Sequence, residues 1–580
     1  MPEQRNLILA IVLSVTIILA FQYFYELPRL KEAQQRATPP TTTEETATPA
    51  PDAATVPAPA VPGDAAAPVA PPGTAATTRE TVLADAPRVR IDNGRLHGSI
   101  DLRGARLDDL TLADYHVEPD PRSPEIVLLS PAGAPGSYFA EFGWVATEAG
   151  VEVPGRDAVW RAGAERLTPD QPVELSWENG QGLRFVQTVQ VDRDFVFTVA
   201  QRVENAGDEA VTLHPYGLIS RWGTPPTMGF FILHEGLIGV VNDTLTEIDY
   251  GDVRDSGEVA FDSQGGWLGF TDKYWLTALL PDQDPALKAT FRHTLRDGDD
   301  RYQTDFLRPA VTVPAGGSVE VVDRLFAGAK EVNLLDRYGE QFGLPLFDRA
   351  VDFGWFYFLT KPLFQVLTWL YAAVGNFGVA ILILTVIVKL IFFPLANKSY
   401  RAMTNMKKLQ PKMMELREQF GDDKMRLNQE LMALYKREKV NPVSGCLPIV
   451  VQIPVFFALY KVLFVSIEMR HAPFFGWIND LSAPDPTSLF NLFGVIPWDP
   501  PHLLMVGAWP ILMGGTMFLQ QKLNPQPADP MQARIMMLLP LMFTFLFATF
   551  PAGLVIYWTW NNILSIAQQW VIMRRAGVSV

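Results

Sequence analysis

The sequence predicts a multi-domain membrane protein: an α-helical bundle of five core transmembrane helices with an N-terminal transmembrane anchor, and a large all-β domain between anchor and bundle. The C-terminal third holds five apolar segments of membrane length. Residues 80–330 contain stretches, such as 183–191 and 195–203, in which apolar residues fall mostly at odd positions, a period of two that is typical of strands. Charge also separates the halves, because residues 350–580 carry 19 Lys+Arg against 12 Asp+Glu (net +7), whereas residues 1–349 carry 29 against 51 (net −22).

The N-terminal segment predicts an uncleaved membrane anchor over residues 1–25. Asn6 to Phe24 form an apolar run that can span ~30 Å of hydrocarbon at 1.5 Å per residue. A cleaved signal peptide is the alternative. The run is long for one, only Arg5 supplies positive charge before it, and no Ala-x-Ala site precedes Glu26.

Residues 26–79 are rich in Pro, Ala and Thr and are expected to form a disordered linker, since they cannot bury enough apolar surface to offset their ordering entropy. Residues 80–330 follow, with many short strands separated by Gly and Pro, which is typical of a large antiparallel sandwich. The clearest strand candidates are residues 173–177, 183–191, 195–203 and 318–326.

Residues 331–375 are predicted to form connecting and interfacial amphipathic helices. The stretch from Phe353 to Val374 is strongly aromatic and contains Lys361 and Pro362, which suits the membrane interface. A plain transmembrane helix is the alternative for this stretch.

The bundle is predicted over residues 376–580, with helices at about 376–396, 443–466, 502–519, 535–550 and 553–572. Basic loops face the cytoplasm. The loop 397–440 holds 11 Lys+Arg against 6 Asp+Glu, whereas 467–501 holds one Arg against four acidic residues. We therefore expect both termini and the loop 397–440 on the cytoplasmic side, and residues 26–350 outside.

Lys389 is the most informative residue. It lies within an apolar run from Val379 to Leu395, and no Asp or Glu occurs in any membrane-length segment of the C-terminal half. A charge at membrane depth usually faces a bundle interior or a water-filled cavity. Lys389 precedes Lys398 by nine residues, ~13 Å along a helix axis, although a lysine stem can also snorkel toward the interface. Together with the other polar residues of the predicted membrane helices, Lys389 predicts a hydrated, cationic groove. These polar residues are Thr385, Gln452, Thr516, Asn561, Asn562, Ser565 and Gln568.

The loop 397–440 is predicted to be a helical hairpin that turns at residues 421–423. Its apolar side chains recur at steps of three and four on both arms. Methionine is flexible and suits surfaces that bind many apolar sequences, which predicts a substrate-capture surface; alternatively, the two stripes zip together. The basic residues suit anionic membrane lipids or RNA. The candidate capture residues are Met403, Met406, Met413, Leu416, Leu427 and Leu431.

Signatures of catalysis do not occur in the sequence. It contains no nucleotide-binding glycine loop with a following Lys-Ser or Lys-Thr, and no His/Cys cluster with metal spacing. Cys446 is the single cysteine, so an intrachain disulfide is impossible. We expect no enzymatic activity, no cofactor and no metal. The acidity of the first half argues against a DNA partner.

The C-terminal half resembles the YidC membrane protein insertase family. The resemblance covers about 330–573 and rests on nine ordered matches, VDFGW 351–355, QPK 410–412, GDDK 421–424, EKVNP 438–442, GCLP 445–448, QIP 452–454, RHAPF 470–474, DLS 480–482 and FPAGL 550–554. The anchor, the linker and the outside domain resemble the Gram-negative form of the family, whose large periplasmic domain is a β-supersandwich with a sugar-epimerase-like fold.

The resemblance implies an insertase and chaperone that inserts and helps fold newly made integral membrane proteins, alone or with a Sec translocon, near the ribosome. It implies a location in the bacterial inner membrane with residues 26–350 in the periplasm, and a groove that is open to cytoplasm and lipid but closed to the outside. The family's groove cation is usually Arg, and its position matches Lys389, which lacks the planar, bidentate donor fork of Arg. Groove-contact roles carry over to Thr385 and Tyr557, which fall at matching places.

Two other functions compete with insertion. One is a secondary transporter with Lys389 as a substrate or proton site, but no inverted repeat and no membrane carboxylate for coupling is visible in the sequence. The other is a membrane-anchored sugar enzyme centred on the β domain. Deleting about 80–320 separates that enzyme from an insertase, because only the enzyme requires the deleted residues.

Overall fold

The computed structural model describes residues 78–577 except 149, 229–232, 285, 297, 421–422, 439, 441–446, 499, 502–503 and 525–529. The predicted anchor 1–25, the linker up to residue 77, most of the predicted hairpin turn and Cys446 lie outside the described residues. The described residues form two units, 78–352 and 353–577.

The first unit is a β domain built from two large sheets. The elements of this domain in chain order are α1 (Arg79–Ala84), β1 (Arg88–Asp92), β2 (Leu96–Asp101), β3 (Arg106–His116), β4 (Glu125–Leu129), β5 (Tyr138–Ala146), β6 (Arg161–Ala162), β7 (Arg166–Leu167), β8 (Val173–Glu178), β9 (Leu183–Val191), β10 (Val196–Asn205), β11 (Val211–Trp222), β12 (Gly236–Val241), β13 (Thr244–Asp249), α2 (Tyr250–Ser256), β14 (Glu258–Gln264), β15 (Trp267–Thr271), β16 (Trp275–Leu280), β17 (Ala286–Arg296), β18 (Asp299–Leu307), β19 (Val311–Val313) and β20 (Ser318–Ala329). One sheet has the order β14-β17-β18-β11-β5-β3-β2-β1-β7, with β19 beside β11 and β4 beside β3, and the other has the order β13-β12-β15-β16-β20-β10-β9-β8-β6.

The strands follow the alternation of the sequence. β8 and β9 pair antiparallel across a turn in which the Asn179 Oδ1 accepts hydrogen bonds from the amides of Gln181 (2.8 Å) and Leu183 (3.0 Å). Gly180 takes φ +71° there, a conformation that suits glycine. The four predicted strands are confirmed, with ends that shift by up to three residues.

The core of the β domain lies between the two sheets, where large aromatic side chains such as Phe139, Phe185 and Phe326 are fully buried. The Gln187 amide on β9 donates to the Phe142 carbonyl on β5 across this interface (2.8 Å). The prediction of a large all-β domain is therefore confirmed.

Helix α3 (Val332–Phe342) follows the last strand and is bound to the sheets by ion pairs. The Arg95 guanidinium contacts Asp114 (2.7 Å), Asp194 (2.8 Å) and Glu331, the residue directly before α3. One guanidinium that contacts three carboxylates holds the start of this helix in place.

The second unit is helical. Its helices are α4 (Tyr357–Val374), α5 (Phe377–Ile391), α6 (Phe393–Phe420), α7 (Lys424–Arg437), α8 (Leu447–Val465), α9 (Ala508–Leu523), α10 (Pro530–Phe547) and α11 (Ala552–Arg575). Within the described residues no single helix is both long and apolar enough to cross a membrane, whereas α5 and α6, bent by 70° at their junction, meet that requirement as a pair.

The helix predicted at 376–396 ends at Ile391, earlier than the apolar run suggests. Pro394 causes this, because its ring removes an amide donor and conflicts with the carbonyl four residues earlier. The predicted helix at 502–519 also begins later, at Ala508. The remaining predicted spans, 443–466, 535–550 and 553–572, overlap α8, α10 and α11. How many of these helices span the membrane stays a prediction.

The loop 397–440 contains the predicted hairpin arms, α6 and α7. Asp423 ends the turn, and its carboxylate accepts hydrogen bonds from the Met425 and Arg426 amides at 3.1 Å each, capping α7. Met413 and Leu434 are buried in the seam between the arms.

Candidate groove and hairpin

Lys389 lies two residues before the end of α5, and its side chain crosses to α11. The Lys389 Nζ donates a hydrogen bond to the Ser565 Oγ (2.6 Å), and this hydroxyl donates to the Asn561 carbonyl (2.7 Å). Ser565 is buried. The sequences of α4, α5 and α8–α11 contain no Asp or Glu. A cation therefore meets neutral polar groups in this part of the bundle.

The distance between Lys389 and Lys398 along the helix axis is shorter than the value expected for a straight helix. Because α6 turns away from α5 by 70°, Lys389 precedes Lys398 by about 7 Å along the α5 axis rather than ~13 Å. A lysine stem could cover much of that shorter distance by snorkelling. The ammonium instead points sideways to Ser565, so its position is set by the polar partner on α11.

Helix α11 presents polar side chains every four residues, which places them on one face. Tyr557, Asn561, Ser565 and Gln569 form this polar row. The Tyr557 hydroxyl accepts a hydrogen bond from the Gln452 amide on α8. Gln569 donates to the Asn524 side chain just after α9 (3.2 Å). The last helix thus connects to α5, α8 and the α9 end through side-chain hydrogen bonds.

The predicted groove residues fall into two places. Ser565 and Tyr557 are eight residues apart, about 12 Å along α11, so the Lys389 contact and the Gln452–Tyr557 contact are separate. Thr385 is buried one turn before Lys389, and its hydroxyl donates to the Ile381 carbonyl of its own helix (2.7 Å). The structure brings Lys389 close to the Asn561 backbone through Ser565, and not to Tyr557.

Several buried polar atoms near this row have no hydrogen-bond partner among the residues that the structure describes. They are the Asn561 Oδ1, the Gln568 Nε2 and the Gln569 Oε1. Buried polar atoms are nearly always hydrogen-bonded, so water or a polar peptide is the partner that this site suits. An ammonium among amides and hydroxyls favours an anionic or polar ligand over a metal cation.

The hairpin residues predicted to capture substrate are mostly covered. Met403, Met413 and Leu431 are buried, while Met406, Leu416 and Leu427 are partly buried. The sequence alternative, in which both stripes zip together, describes the α6–α7 seam. Apolar residues at steps of three and four face the partner arm because it is the nearest apolar surface. The exposed methionines are others, Met414 (59%), Met425 (67%) and Met432 (53%).

Ser565 is one of the polar residues from which the sequence predicts the groove, and the structure adds its specific role as the hydrogen-bond acceptor of Lys389. Its pairing with Lys389 could not be read from the sequence, because the two residues are 176 positions apart.

Comparisons with known proteins extend over the whole chain. Residues 369–578 match the family model of the 60Kd inner membrane protein, and residues 88–366 match that of the YidC periplasmic domain. A protein from Beijerinckia indica subsp. indica, named membrane protein insertase YidC, is 51% identical over 100% of this chain and 97% of its own length. A protein of the same name from Bradyrhizobium diazoefficiens is 50% identical over 100% of this chain and 97% of its own length. A solved structure described as an active YidC insertase covers 83% of this chain and 93% of its own, with 18% identity and a TM-score of 0.34.

These comparisons do not support the transporter alternative, since relatives that are about 50% identical over the full chain are named insertases. The resemblance read from nine short matches is confirmed at the level of the whole sequence. The chain belongs to the YidC membrane protein insertase family.

Proposed function

We propose that this protein inserts newly made membrane proteins into the bacterial inner membrane by a non-enzymatic route through the groove beside Lys389. The observation that carries the proposal is the Lys389 ammonium, which extends from α5 to the Ser565 hydroxyl while the surrounding helices lack carboxylates. Within an insertase family, an unneutralised cation of this kind suits the acidic or polar segments of a substrate.

The proposal includes a membrane placement. The five core spans are α5 with the start of α6, then α8, α9, α10 and α11, preceded by an N-terminal anchor. Both termini and the α6–α7 hairpin lie in the cytoplasm, and residues 26–350 lie in the periplasm. The 11 basic residues of the loop 397–440 support this orientation.

The mechanism is one of solvation and charge. Moving an ionised side chain to the centre of a bilayer costs about 3 kcal/mol on insertion scales. A groove that supplies water, amides and a cation lowers this cost over part of the path. The apolar helix of the substrate then moves into lipid, and burial of its side chains in hydrocarbon drives release.

The hairpin supplies the first contact in this scheme. The exposed Met414, Met425 and Met432 offer flexible apolar side chains to a nascent chain near the ribosome. Basic residues of the same loop interact with ribosomal RNA or anionic lipid. The α6–α7 seam residues keep the hairpin folded, and a Sec translocon is a further partner for longer substrates.

The test compares Lys389→Ala, Lys389→Arg and Lys389→Glu in proteoliposomes that receive a substrate with an acidic translocated tail. We expect Lys389→Ala to lower insertion about tenfold and Lys389→Glu to lower it further, because a carboxylate repels the tail, whereas Lys389→Arg retains it. Lys398→Ala is the matched control, since it removes a basic residue of the loop and leaves the groove intact.

The substrate provides a second control. The Lys389→Ala protein should insert a substrate whose acidic tail residues are changed to Asn or Gln at nearly the normal rate. If Lys389→Ala and Lys389→Glu inserted acidic tails as fast as the unchanged protein, attraction by this charge would be rejected. Crosslinking from positions 385, 389 and 557 to a stalled nascent chain then tests whether substrate passes both groove contacts.

A further inference from the structure

The connection between α8 and α9 contains an exposed apolar loop, residues 489–498. Its ten residues, LFNLFGVIPW, include no ionisable side chain and one polar side chain, Asn491. All seven of its large apolar side chains are more than one-third exposed, among them Val495 (78%) and Leu492 (53%); the others are Leu489, Phe490, Phe493, Ile496 and Trp498. Soluble surfaces rarely show such a continuous apolar stretch.

The loop has a defined backbone that turns these side chains outward. Leu492 and Phe493 both adopt left-handed conformations, with φ of 51° and 57°. The Phe493 amide donates to the Ser488 carbonyl (2.7 Å), and the Ile496 amide donates to the Asn491 carbonyl (3.0 Å). Bulky residues in left-handed backbone are unusual, so this turn is held by specific contacts instead of collapsing onto its own side chains.

The base of the loop is fixed to the beginning of α9. Asp485 is buried, and its carboxylate accepts hydrogen bonds from the Trp477 indole (3.1 Å), the Thr487 amide (3.0 Å) and the Trp509 amide in the first turn of α9 (2.9 Å). The Leu489 amide donates to the Val506 carbonyl (2.9 Å). The apolar loop therefore lies beside the beginning of α9.

We propose that the apolar loop inserts into the outer, periplasmic half of the lipid bilayer and anchors this end of the bundle in the interface. The inference rests on the membrane placement of the proposed function. Aromatic side chains are enriched at this level of a membrane, and the loop carries Phe490, Phe493 and Trp498. The exposed Trp477 and Phe475 lie near its base, and the Trp477 indole N–H is satisfied by Asp485.

Lipid fits the loop better than a protein partner does. All seven large apolar side chains of the loop are exposed, and residues 489–498 contain no ionisable side chain that would orient a protein partner. The exposed apolar faces of α9 and α10 continue the same type of surface, with Leu512, Leu519, Ile535 and Leu541 each more than half exposed. A fluid apolar phase covers all of these without needing a complementary shape.

The experiment places an environment-sensitive NBD fluorophore on the loop of the full chain. Cys446→Ser first removes the single cysteine, and Val495→Cys then carries the label in liposomes of phosphatidylethanolamine and phosphatidylglycerol. Arg122→Cys, whose side chain is 90% exposed in the β domain, is the aqueous reference. Leu541→Cys on α10 is the lipid reference.

We expect the 495 label to emit at shorter wavelength than the 122 label and to be quenched less by iodide in the water. Lipid with a shallow doxyl group should quench the 495 label at least twofold more than lipid with a deep doxyl group. Adding Phe493→Asp and Ile496→Asp should return the label to the values of the 122 reference. Phe493→Leu with Ile496→Val is the matched control and should keep the quenching.

Iodide quenching of the 495 label equal to that of the 122 label would overturn the inference. A blue shift that needs an added nascent membrane protein and shows no doxyl quenching would also overturn it, because the loop would then bind protein. Quenching at 541 without quenching at 495 rejects the loop insertion alone, whereas no doxyl quenching at 541 rejects the membrane placement itself.

Discussion

Lys389 is a cation whose hydrogen-bonding partner is a neutral hydroxyl, that of Ser565. A positive charge that a neutral group positions keeps its attraction for a passing carboxylate, whereas one paired with an acid loses most of it. The choice of serine at position 565 is thus part of the proposed mechanism. This can be separated from simple packing by changing the charge of the partner.

Replacing the hydroxyl with a carboxylate should imitate loss of the lysine. In Ser565→Asp the new carboxylate pairs with Lys389, and we expect insertion of acidic-tailed substrates to fall about tenfold, as in Lys389→Ala. The asparagine of Ser565→Asn has the size of aspartate without its charge, so this variant should retain most of the activity. Equal rates for Ser565→Asp and Ser565→Asn in the proteoliposome assay would contradict the role of a free cation.

His234 gives the β domain a pH-dependent contact. Burial opposes its charged form, but hydrogen bonds to the Asp249 carboxylate (3.1 Å) and the Leu237 carbonyl (2.9 Å), with the nearby Glu247 charge, outweigh this and raise the pKa of His234 above 6.5. A raised pKa means that the contribution to stability is complete below about pH 6.5 and is lost as the pH rises through the folded-state value.

We therefore expect β12 to open more readily at about pH 8.5 than at about pH 6. Hydrogen–deuterium exchange of residues 236–241 in the full chain, corrected for the intrinsic pH dependence, should rise several-fold. The His234→Gln variant cannot gain this proton and should show a pH-independent rate. A corrected rate that does not change with pH in the unchanged protein would contradict the assignment.

At the scale of elements, periodicity in the sequence predicted most of what forms. The strand at Leu183–Val191 was predicted with both ends correct, because alternation and the Asn179-Gly180 turn agree. The end of α5 was not, since an apolar run does not reveal that Pro394 interrupts its hydrogen bonds. The hairpin stripes were visible, but which methionines face the partner arm depends on packing, and Met413 proved to be buried.

The α9–α10 contact provides a paired test of helix packing. A Cβ added at Gly514 would lie 2.0 Å from the Thr544 Oγ1, whereas one added at Gly515 meets nothing within 4 Å. Gly514→Ala should thus destabilise the protein by about 1–3 kcal/mol through overpacking. Gly515→Ala should stabilise it by about 0.5–1 kcal/mol, since alanine restricts the unfolded chain and favours helix.

Thermal unfolding in detergent measures both variants. Thr544→Ala removes the obstructing hydroxyl, so it should restore much of the stability lost in Gly514→Ala. Similar melting temperatures for the two single glycine variants would show that the helices separate easily at this point, contrary to the close contact described above.

At the scale of the whole molecule, the chain forms two units with different chemistry. The unit 78–352 holds the sheets, and the unit 353–577 holds every residue of the candidate groove. Composition predicted this division through the charge difference between the halves. Composition could not predict the contacts within the groove, because α5, α8 and α11 meet through residues more than 100 positions apart, such as Gln452 and Tyr557.

A chain that lacks residues 80–320 should retain substantial insertion activity, because the Lys389–Ser565 contact and the hairpin both lie in the other unit. The measurement is the insertion rate of the acidic-tailed substrate at matched amounts of protein. Lys389→Ala in the shortened chain is the control and should reduce the rate by the same factor as in the full chain. Complete loss of insertion after the deletion would assign the activity to the β domain.

Two hydrogen bonds close the base of the apolar loop and separate its tip from the helices. The Ser488 hydroxyl bonds the Leu504 carbonyl (2.8 Å), and the Leu489 amide bonds the Val506 carbonyl. Because these two bridges fix both stems, residues added to or removed from the tip change only a small closure entropy and leave the helix ends in register. The length and hydrophobicity of this tip can therefore change while the beginning of α9 keeps its position.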